Sequence, residues 1–583
     1  MHSPKKPLLF FDFANHLGNK QPMTFKDPIT IITTTKLEEV IPCMQSIQQY
    51  IEAGYYAAGY LAYEAAPAFD PAQQVNNCST LPLLWFGIFA QPSDEIMADT
   101  KAFHLTEWKP TTSLEDYQQN LKMIKQHIEN GDTYQVNYTV RLQSQFNGDT
   151  RSYFQQLAQA QSANYAAYLD IGDHSILSAS PELFFHLRDG KITTKPMKGT
   201  VKRGNSQQED KQLADWLYHS DKNRAENVMI VDLLRNDLGL IAKPGTVKVP
   251  KLFAIERYPT VFQMTSTVEA EVDSDITTIF RALFPCGSIT GAPKINTMKI
   301  INQLEDSARE VYCGTVGYIT PEKEAIFNVP IRTVLVNNTT GNALYGVGGG
   351  ITWDSTDDEE YTEILTKALF LSKAQSSVEL LETISLIDSE YYLIDYHMNR
   401  LEKSAAYFSI PLHRDKLYKL LVETANQHSI GSFRVRLVIS NLGDITISAE
   451  KDVTTLPASP AKVELAKYPI NKKDVFYYHK TTHRSIYQVF LNEFPEAFDV
   501  LLWNEQRELT EFTIGNLVVE INGGLYTPPL ECGLLPGTFR QKLLDDNIIS
   551  ERKIRIEEIK NCANIWLINS IRKWVPVVVH IKD

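Results

Sequence analysis

The chain has 583 residues, which is too long for one hydrophobic core, so at least two domains are expected. Its 43% hydrophobic and 22% charged residues are typical of a globular protein, while the net charge of −13 argues against a nucleic-acid binder, which needs a basic face. The six cysteines form no Cys-x-x-Cys pair, and no signal-peptide core or apolar run of eighteen residues occurs, which together favour a cytoplasmic protein without disulfides or zinc.

The first 110 residues mix short strands with helical segments. Apolar and β-branched runs at 29–34 and 83–89 predict strands, and residues 36–53 have the spacing of a helix. A second helix is predicted over 113–131, because apolar residues recur on one face and Ser113 is a suitable N-cap.

The middle of the chain alternates strands and helices. Strands are predicted at 166–171 and 182–187. The helix predicted over 222–242 has apolar residues all around its axis, so we expect it to be buried, and Glu226 and Asp232 on it would then need partners or a metal. Another helix should begin just after the Gly-Ala-Pro sequence that ends at Pro293.

Two linkers divide the rest of the chain. A polar break falls at 372–378, after which strands are predicted at 379–387 and 390–394 and a helix from about 395 to 408. A second linker is rich in Thr, Ser and Pro and covers 454–460. We therefore expect an α+β chain in three parts: 1–110, 111–375 and 376–583.

Three features between residues 112 and 375 could carry chemistry. The Gly-rich segment 286–294 runs into a predicted helix, and its backbone N–H groups, hydroxyls and terminal lysine suit a carboxylate. Glu360 and Glu363 lie on one face of a predicted helix and, with Glu226, offer oxygen ligands suited to Mg²⁺. Lys198, in Pro-Met-Lys-Gly-Thr, would be the nucleophile of this set.

Each feature also has an ordinary explanation. Acidic residues in a first helical turn complement the helix dipole, and Ser355-x-x-Asp358 fits a capping box. A Gly-Ala-Pro sequence is usually a turn, and a single lysine is usually solvated. The cluster Gly346–Gly350 lacks the spacing of a dinucleotide-binding loop.

The motifs taken together resemble the chorismate-utilising enzymes, which include the anthranilate, aminodeoxychorismate, isochorismate and salicylate synthases. The likeness covers about 112–375 and implies a β-sandwich with surrounding helices. It rests on these segments: Gly131-Asp-Thr-Tyr-Gln-Val-Asn137, Ser178-Ala-Ser-Pro-Glu182, Pro196-Met-Lys-Gly-Thr200, the run from Asn223 to Asp237, Gly287-Ser-Ile-Thr-Gly-Ala-Pro-Lys294, Phe327-Asn-Val-Pro-Ile-Arg332 and Gly348-Gly-Gly-Ile351.

Within this family, Lys198 occupies the position that separates aminodeoxychorismate synthases, which carry lysine, from anthranilate synthases, which carry alanine. The resemblance implies that Lys198 attacks C2 of chorismate, that Glu182 is the general acid, and that Glu226, Glu360 and Glu363 bind Mg²⁺. Gln135 stands where water-adding members carry a lysine base. The implied substrate-binding residues are Ser288, Thr290, Gly291, Lys294, Tyr312, Arg332, Gly348, Gly349 and Gly350.

A second group of motifs lies between 379 and 583. Pro536-Gly-Thr538 precedes a predicted helix and offers exposed amides and a hydroxyl to a phosphate. Lys480 followed by the acidic residue Glu511 suits pyridoxal phosphate, because a carboxylate can keep a pyridinium nitrogen protonated. The ordinary alternative is that Lys480 is a surface lysine and Thr538 an N-cap.

These motifs resemble the fold-type IV pyridoxal-phosphate enzymes, specifically the aminotransferase and 4-amino-4-deoxychorismate lyase group. The resemblance implies a two-lobed α/β domain in which Lys480 forms the Schiff base and Glu511 meets the pyridine nitrogen. One departure is that the usual N-terminal strand is missing, so the small lobe would be trimmed or completed by earlier residues. The implied cofactor-binding residues are Arg400, Lys480, Glu511, Gly515, Asn516, Gly537 and Thr538.

The two resemblances imply consecutive steps toward 4-aminobenzoate, a folate precursor: amination of chorismate, then elimination of pyruvate. No glutaminase signature occurs, so ammonia would come from a separate subunit, expected to be a glutamine amidotransferase, or from solution. The resemblance is also compatible with a homodimer through the pyridoxal-phosphate domain. Two alternatives stay open, an anthranilate synthase component fused to an aminotransferase, and a synthase whose C-terminal domain is a non-catalytic scaffold.

Overall fold

The computed structural model describes residues 6–15, 18–76, 78–94, 101–161, 163–205, 207–258, 261–371, 378–408, 410–452 and 460–581. The chain divides into two compact units, one containing 1–202 and 213–375 and the other containing 203–212 and 376–583. The linkers predicted at 372–378 and 454–460 fall almost entirely outside the described residues. In the part of the chain that is described, no helix is long and apolar enough to cross a membrane.

The strands of the first unit belong to two ten-stranded sheets. They are β1 (Leu8–Ala14), β2 (Lys20–Lys26), β3 (Thr30–Thr34), β4 (Tyr56–Leu61), β5 (Leu84–Phe89), β6 (Phe103–Leu105), β7 (Lys109–Pro110), β8 (Gln135–Gly148), β9 (Tyr165–Asp170), β10 (His174–Ser180), β11 (Leu183–Arg188), β12 (Lys191–Lys195), β13 (Met197–Lys202), β14 (Lys248–Arg257), β15 (Val261–Glu271), β16 (Gly291–Ala292), β17 (Thr315–Ile319), β18 (Ala325–Asn328), β19 (Thr333–Asn337) and β20 (Asn342–Ile351).

The helices that begin before residue 372 accompany these sheets. They are α1 (Leu37–Glu52), α2 (Leu114–Glu129), α3 (Thr150–Gln161), α4 (Gln207–His219), α5 (Asp221–Gly239), α6 (Ile276–Leu283), α7 (Lys294–Leu304) and α8 (Asp357–Ala368). The first sheet runs in the order β16-β8-β20-β19-β10-β9-β1-β2, with β6 and β7 beside β8. The second runs β13-β15-β12-β11-β18-β17-β4-β5-β3, with β14 beside β15.

The two sheets pack face to face, and strand β1 shows how. Leu9, Phe11 and Phe13 point to one side and join a core that also contains Tyr60 and Tyr318 of the second sheet. Its alternate residues, including Leu8 and Phe10, face helices on the other side of the sheet. Because side chains alternate along a strand, a strand that is buried on both faces is apolar throughout. The β-sandwich with surrounding helices is therefore confirmed.

Helix α5 corrects one prediction about burial. Its buried residues recur at 227, 230, 231, 234, 237 and 238, which is one face of a helix and not its whole circumference. Val228 is exposed, and Asp232 lies at the surface, where it pairs with Arg235 at 2.8 Å. The expectation that Asp232 is buried was wrong, because Asp232 lies outside the one face of the helix that is buried.

The second unit contains a four-stranded and an eight-stranded sheet, which form the two lobes expected from the sequence. Each lobe has its own apolar core. The elements are β21 (Leu380–Ile387), β22 (Glu390–Tyr391), α9 (Ile394–Phe408), α10 (Arg414–Gln427), β23 (Ser432–Ile439), β24 (Ile445–Lys451), β25 (Ala461–Leu465), α11 (Ser485–Leu491), β26 (Asp499–Trp503), β27 (Leu509–Phe512), β28 (Asn516–Ile521), β29 (Gly524–Thr527), α12 (Thr538–Asp545), β30 (Ser550–Glu551), β31 (Asn564–Asn569) and β32 (Lys573–His580).

The second unit also includes residues 203–212, which come from the middle of the sequence. Arg203 pairs with Asp210 in a buried ion pair and stacks over the Tyr407 ring, with its Cζ 4.4 Å from the ring centroid. The Tyr407 hydroxyl donates to the Gly204 carbonyl at 2.8 Å. In the same cluster Tyr407 packs on His479, the residue before Lys480, with ring centroids 4.3 Å apart.

Several local predictions are confirmed in this structure. Ser113 caps α2 by accepting the Asp116 amide, as its sequence position predicted. Helix α7 begins directly after Pro293, and α9 begins within a residue of its predicted start. The strand predicted at 390–394 is shorter, covering only Glu390–Tyr391.

Candidate active sites

Lys198 lies in a β-bulge between β13 and β15. Met197 pairs with Thr265 and Thr200 with Gln263, so Lys198 and Gly199 oppose a single residue. Gly199 has a φ of +93°, and a Cβ added there would lie 3.0 Å from Asn223. Bulges re-aim side chains, and this one needs glycine because a side chain would be both strained and crowded.

The Lys198 ammonium group lies close to the glycine-rich end of β20. A Cβ added to Gly350 would lie 3.1 Å from Nζ of Lys198 and 1.8 Å from Nε2 of Gln135. Gln135 is 1% exposed, yet neither amide atom has a hydrogen-bond partner among the described residues. A buried, unpaired amide costs about 1–3 kcal/mol, so this arrangement indicates that a polar ligand completes the site.

The pKa values of two titratable groups at this site are shifted in directions that suit a nucleophile and a general acid. Burial lowers the pKa of Lys198, although Glu226 and Glu182 act to raise it. Burial also raises the pKa of Glu182 to about 7, against the hydrogen bond from Ser288 and the charge of Lys198. Oε1 of Glu182 has no hydrogen-bond partner within the described residues. The site therefore offers an amine whose pKa is lowered and a carboxyl group whose pKa is raised to about 7.

The three glutamates predicted to bind Mg²⁺ lie in mutual electrostatic range. Burial raises the pKa of Glu226 and of Glu360, and Glu363 acts in the same direction on both. Burial also acts to raise the pKa of Glu363, but Lys367 outweighs it, so that pKa is lowered. Lys367 lies 2.7 Å from a Glu363 oxygen and donates to the Gly348 carbonyl at 2.8 Å.

The oxygen donors match what Mg²⁺ prefers, but they are not gathered into a ready site. Among the described side chains, no three Asp, Glu, His or Cys stand close enough to hold a metal ion. Glu360 accepts the Ser355 hydroxyl at 2.7 Å, and the Asp358 side chain of the capping box considered for Ser355 lies outside what the structure describes. Binding a cation would require Glu363 to turn away from Lys367. The attraction of a divalent cation for all three carboxylates would have to outweigh their mutual repulsion and the Lys367 contact.

The Gly-rich segment 286–294 turns several of its polar groups inward. The Thr290 hydroxyl donates to the Gly287 carbonyl at 3.2 Å, and Ser288 lies 3.2 Å from the Cys286 sulfur. A Cβ on Gly291 would lie 2.1 Å from the Gln135 carbonyl oxygen, so this glycine permits close backbone contact. Lys294 pairs with Asp237 at 2.7 Å. An ammonium group has three N–H donors, so a substrate carboxylate would share Lys294 with Asp237.

The remaining predicted substrate residues fall into two groups. Gly349 lies near the carboxylates, because a Cβ there would be 3.1 Å from Oε2 of Glu360. Gly348 packs against the backbone of β8 and accepts the Lys367 hydrogen bond. Arg332 donates to the side chain of Gln161, and Tyr312 packs against Arg141 at 5.2 Å. Of these glycines, Gly350 lies beside Lys198 and Gly349 beside Glu360, whereas Arg332 and Tyr312 contact other protein side chains.

In the second unit, Lys480 lies at the junction of the two sheets of that unit. Its carbonyl accepts the Leu381 amide at 2.9 Å. Burial lowers the pKa of Lys480 to about 7, helped by the positive charges of Arg400 and Arg484. Such a pKa is expected of an amine that must be neutral to attack a carbonyl.

Glu511 is 2% exposed and accepts hydrogen bonds from two side chains. The Tyr487 hydroxyl donates to Oε1 at 2.8 Å and the Asn516 amide donates to Oε2 at 3.1 Å. Burial nevertheless raises the pKa of Glu511 to about 8, against these bonds and the Leu535 amide. A buried carboxyl of this kind suits a partner that brings its own positive charge, such as a pyridinium.

The predicted phosphate site gathers at the start of α12. Gly537 is the N-cap, and a Cβ there would lie 1.8 Å from Oδ1 of Asn516. Arg400 reaches this loop, donating from Nη1 to the Pro536 carbonyl at 3.1 Å. Gly515 has a different local role, because a Cβ on it would lie 2.7 Å from the Ile568 carbonyl. The donor set, the buried lysine and the glycine cradle fit pyridoxal phosphate.

Several residues at these sites were not identified from the sequence as functional. Lys367, Tyr487, Glu382 and His397 each contact a predicted site residue. His397 and Lys367 could have been found, because they lie three or four residues from Arg400 and Glu363 on the same helices. Tyr487 and Glu382 have no such signal, since their partners are distant in sequence.

Comparison with protein families agrees with this division. Residues 93–373 match the family described as chorismate binding enzyme, and residues 379–579 match the family described as amino-transferase class IV. The chain therefore joins a chorismate binding enzyme domain to a class IV amino-transferase domain. Both are families of enzymes. Class IV amino-transferases imply pyridoxal phosphate as the cofactor.

The curated relatives of the first domain include aminodeoxychorismate synthase component 1 of Salmonella typhimurium, 42% identical over 268 residues. That match covers 46% of this chain and 59% of the Salmonella protein. The corresponding protein of Bacillus subtilis is 36% identical over 314 residues, covering 50% of this chain and 66% of that protein. The chain thus spans about three-fifths of the length of these relatives.

A solved structure supports the fold of the first domain. Anthranilate synthase component I from Streptococcus pneumoniae superposes with a TM-score of 0.52 at 24% identity, covering 64% of this chain and 93% of that one. At this identity the likeness concerns the fold alone. The choice between related activities rests on the site residues.

Proposed function

We propose that this chain makes 4-aminobenzoate from chorismate in two steps. The first domain aminates chorismate to 4-amino-4-deoxychorismate, and the second removes pyruvate from that product. The observation that carries the proposal is Lys198, a half-buried lysine with a lowered pKa that lies beside Gln135 and Gly350 in a chorismate binding enzyme domain. Relatives of this domain named aminodeoxychorismate synthase component 1 support the same reaction.

In the first step the neutral Lys198 amine attacks C2 of chorismate while the C4 hydroxyl leaves. Glu182 supplies a proton to that hydroxyl, which departs as water, because its pKa near 7 keeps much of it protonated. Ammonia then adds at C4 and the lysine leaves C2. Gln135, buried with both amide atoms unpaired among the described residues, is placed to hydrogen-bond the substrate or the entering ammonia.

Mg²⁺ would be held by Glu226, Glu360 and Glu363, together with a substrate carboxylate. When bound, the ion would neutralise these carboxylates and offset their tendency to keep Lys198 protonated. Lys367 is the group that balances Glu363 in the structure. Exchanging that ammonium for the ion would couple metal binding to a rearrangement around Gly348.

In the second step the residues around Lys480 would bind a cofactor that carries a carbonyl group and would transfer a proton. Pyridoxal phosphate, when bound, supplies an electron sink. Glu511 would hold the proton at the pyridine nitrogen, while Arg400, Gly537 and Thr538 would bind the phosphate. Lys480, once its amine is free, would take the C4 proton of the substrate and thereby assist the loss of pyruvate.

The source of ammonia is proposed to be a separate glutamine amidotransferase. The relatives are named as component 1 of a synthase, which supports a second component for this chain. A cytoplasmic location, a homodimer through the second unit, and the division at residues 110 and 375 stay predictions.

The first half of the proposal is tested by replacing Lys198 with alanine. The variant is expected to form no 4-amino-4-deoxychorismate from chorismate, NH₄⁺ and Mg²⁺, because the nucleophile is gone. Its visible cofactor absorbance should equal that of the wild type, since Lys480 is untouched. Synthesis at the wild-type rate would refute the nucleophile role, and anthranilate as the wild-type product would favour the alternative synthase.

The second half is tested by supplying prepared 4-amino-4-deoxychorismate and following pyruvate. Lys480→Ala should lose the absorbance at 400–430 nm and accumulate the substrate. Lys473→Ala, a surface lysine of the same unit, is the matched control and should release pyruvate normally. If the wild type releases none, the second unit is a scaffold instead of a lyase.

A further inference from the structure

A buried ionic cluster in the second unit is centred on Glu382, which is 1% exposed on β21. Arg400 donates to both of its oxygens, from Nε at 2.8 Å and from Nη2 at 2.6 Å. Nδ1 of His397 lies 2.7 Å from Oε2 of the same carboxylate. One carboxylate therefore contacts His397 and Arg400, which lie three residues apart on α9. Of these two, only Arg400 was assigned a function from the sequence.

The charge state of the cluster follows from these contacts. Burial acts to raise the pKa of Glu382, but Arg400 and His397 outweigh it and hold that pKa at about 2. Burial lowers the pKa of His397, against Glu382 and in the same direction as Arg400 and Lys480. The carboxylate is thus ionised and can only accept, so Nδ1 of His397 carries the hydrogen that is donated to Glu382, and the lowered pKa of His397 favours the neutral imidazole.

The same contacts extend to the start of α12. In the neutral imidazole with its hydrogen on Nδ1, Nε2 of His397 is an acceptor, and the Thr538 hydroxyl lies 3.3 Å away in position to donate. On the other side, Nη1 of Arg400 points at the Pro536 carbonyl, one residue before Gly537. Glu382 therefore sets the direction of a guanidinium and, through the imidazole, of a hydroxyl at the predicted phosphate site.

We propose that Glu382 is a positioning residue for the cofactor phosphate, acting through Arg400 and through the His397–Thr538 hydrogen bond. This inference rests on the proposed binding of pyridoxal phosphate by the second unit. The inference assigns roles to Glu382 and His397, which lie behind the phosphate site. It also predicts that their effect on ligand affinity requires the phosphate group and not the pyridine ring.

The direction in which the affinity for the phosphate changes decides the proposal, because two effects of Glu382 oppose each other. Glu382 is negative, so Coulomb repulsion alone predicts that removing its charge tightens the binding of a phosphate dianion. Positioning predicts the opposite. In Glu382→Gln the amide N–H₂ would face a donor of Arg400 or His397, and the guanidinium would lose its fixed orientation.

The test uses the full-length protein freed of cofactor and measures dissociation constants by visible absorbance for pyridoxal phosphate and for pyridoxal, which lacks the phosphate. Glu382→Gln should weaken pyridoxal phosphate roughly 10- to 100-fold, the cost of lost hydrogen bonds to charged groups, and pyridoxal less than about threefold. His397→Phe keeps the carboxylate and removes the link to Thr538. It should weaken pyridoxal phosphate roughly three- to tenfold and leave pyridoxal unchanged.

The matched control is Asp499→Asn, which alters another buried carboxylate of the same unit. Asp499 accepts from the Thr513 hydroxyl at 2.5 Å and from the amides of Val500 and Thr513, and within the described part of the chain these hydrogen bonds do not involve Arg400 or Thr538. It should lower thermal stability and leave the ratio of the two dissociation constants unchanged. Tighter binding of pyridoxal phosphate, or equal weakening of both ligands, in Glu382→Gln and His397→Phe would overturn the positioning role.

Failure of the underlying function would look different. If wild-type protein develops no visible band with either ligand, the cofactor assignment and this inference both fall. If the wild type binds both ligands, the cofactor assignment stands. The results for the two variants then test only the positioning role of Glu382 and His397. Thermal unfolding of the cofactor-free variants shows whether any loss of binding reflects a loss of folding.

Discussion

Replacing Lys480 by methionine is expected to stabilise the cofactor-free protein near neutral pH. Methionine keeps the length of the side chain and removes the amine. In the wild type that amine is buried among Arg400 and Arg484, and its pKa is about 7 instead of 10.5. Protonating it in the folded state is therefore costly, and methionine avoids the cost.

The size and sign of the effect follow from proton linkage. Each unit of pKa difference is worth about 1.4 kcal/mol, so the full penalty on the folded wild type is about 5 kcal/mol. Between pH 7 and 10.5 the unfolded chain holds the Lys480 proton and the folded chain does not, so wild-type stability rises with pH there. Below pH 7 both states are protonated and the penalty is constant. The advantage of Lys480→Met should thus shrink by about 3 kcal/mol from pH 7 to 9.5.

The measurement is urea unfolding of the cofactor-free proteins at pH 6.5, 8 and 9.5. Unfolding is monitored by hydrogen-exchange mass spectrometry on peptides of β26 and β28. These strands report the second unit separately from the first. Lys473→Met, which alters an exposed lysine, should change stability by less than about 0.5 kcal/mol at each pH. A difference between wild type and Lys480→Met that stays constant from pH 6.5 to 9.5 would refute the lowered pKa.

Three further predictions concern the chemistry. Glu360→Gln should raise the Mg²⁺ concentration needed for half-maximal synthesis steeply, because a hard cation held by few protein oxygens loses one; unchanged Mg²⁺ dependence would favour the helix-dipole explanation. Glu182→Gln should slow aminodeoxychorismate formation by 10²- to 10⁴-fold. The decline of the wild-type rate above a pH of about 7, where Glu182 loses its proton, should also vanish, and a variant that keeps this decline would contradict the general-acid role. Tyr487→Phe removes a donor worth about 1.5–3 kcal/mol to the Glu511 carboxylate, so it should raise the pKa of that carboxyl further and shift pyruvate release to higher pH. Tyr477→Phe, whose hydroxyl donates to Ile486, should leave the profile in place.

The sequence by itself determined the local features of this protein. The start of α2 at Ser113 and the start of α7 after Pro293 depend on capping and proline geometry, which involve only neighbouring residues. The shared face of Glu360 and Glu363 follows from helical periodicity in the same way. The two lobes of the second unit and the sandwich of the first were accessible because their motifs occur in a fixed order.

Only the tertiary structure decided which side of α5 is buried and which charges meet. Lys294 pairs with Asp237, 57 positions away, and Glu382 reaches Arg400 across 18. Neither pairing has a local signal, because an ion pair depends on where two elements pack and not on the residues next to each partner. The pKa values of Lys198 and Lys480 depend on burial by many chain segments at once. That is why the sequence could name both lysines, whereas the fold alone explains how burial makes each of them easy to deprotonate.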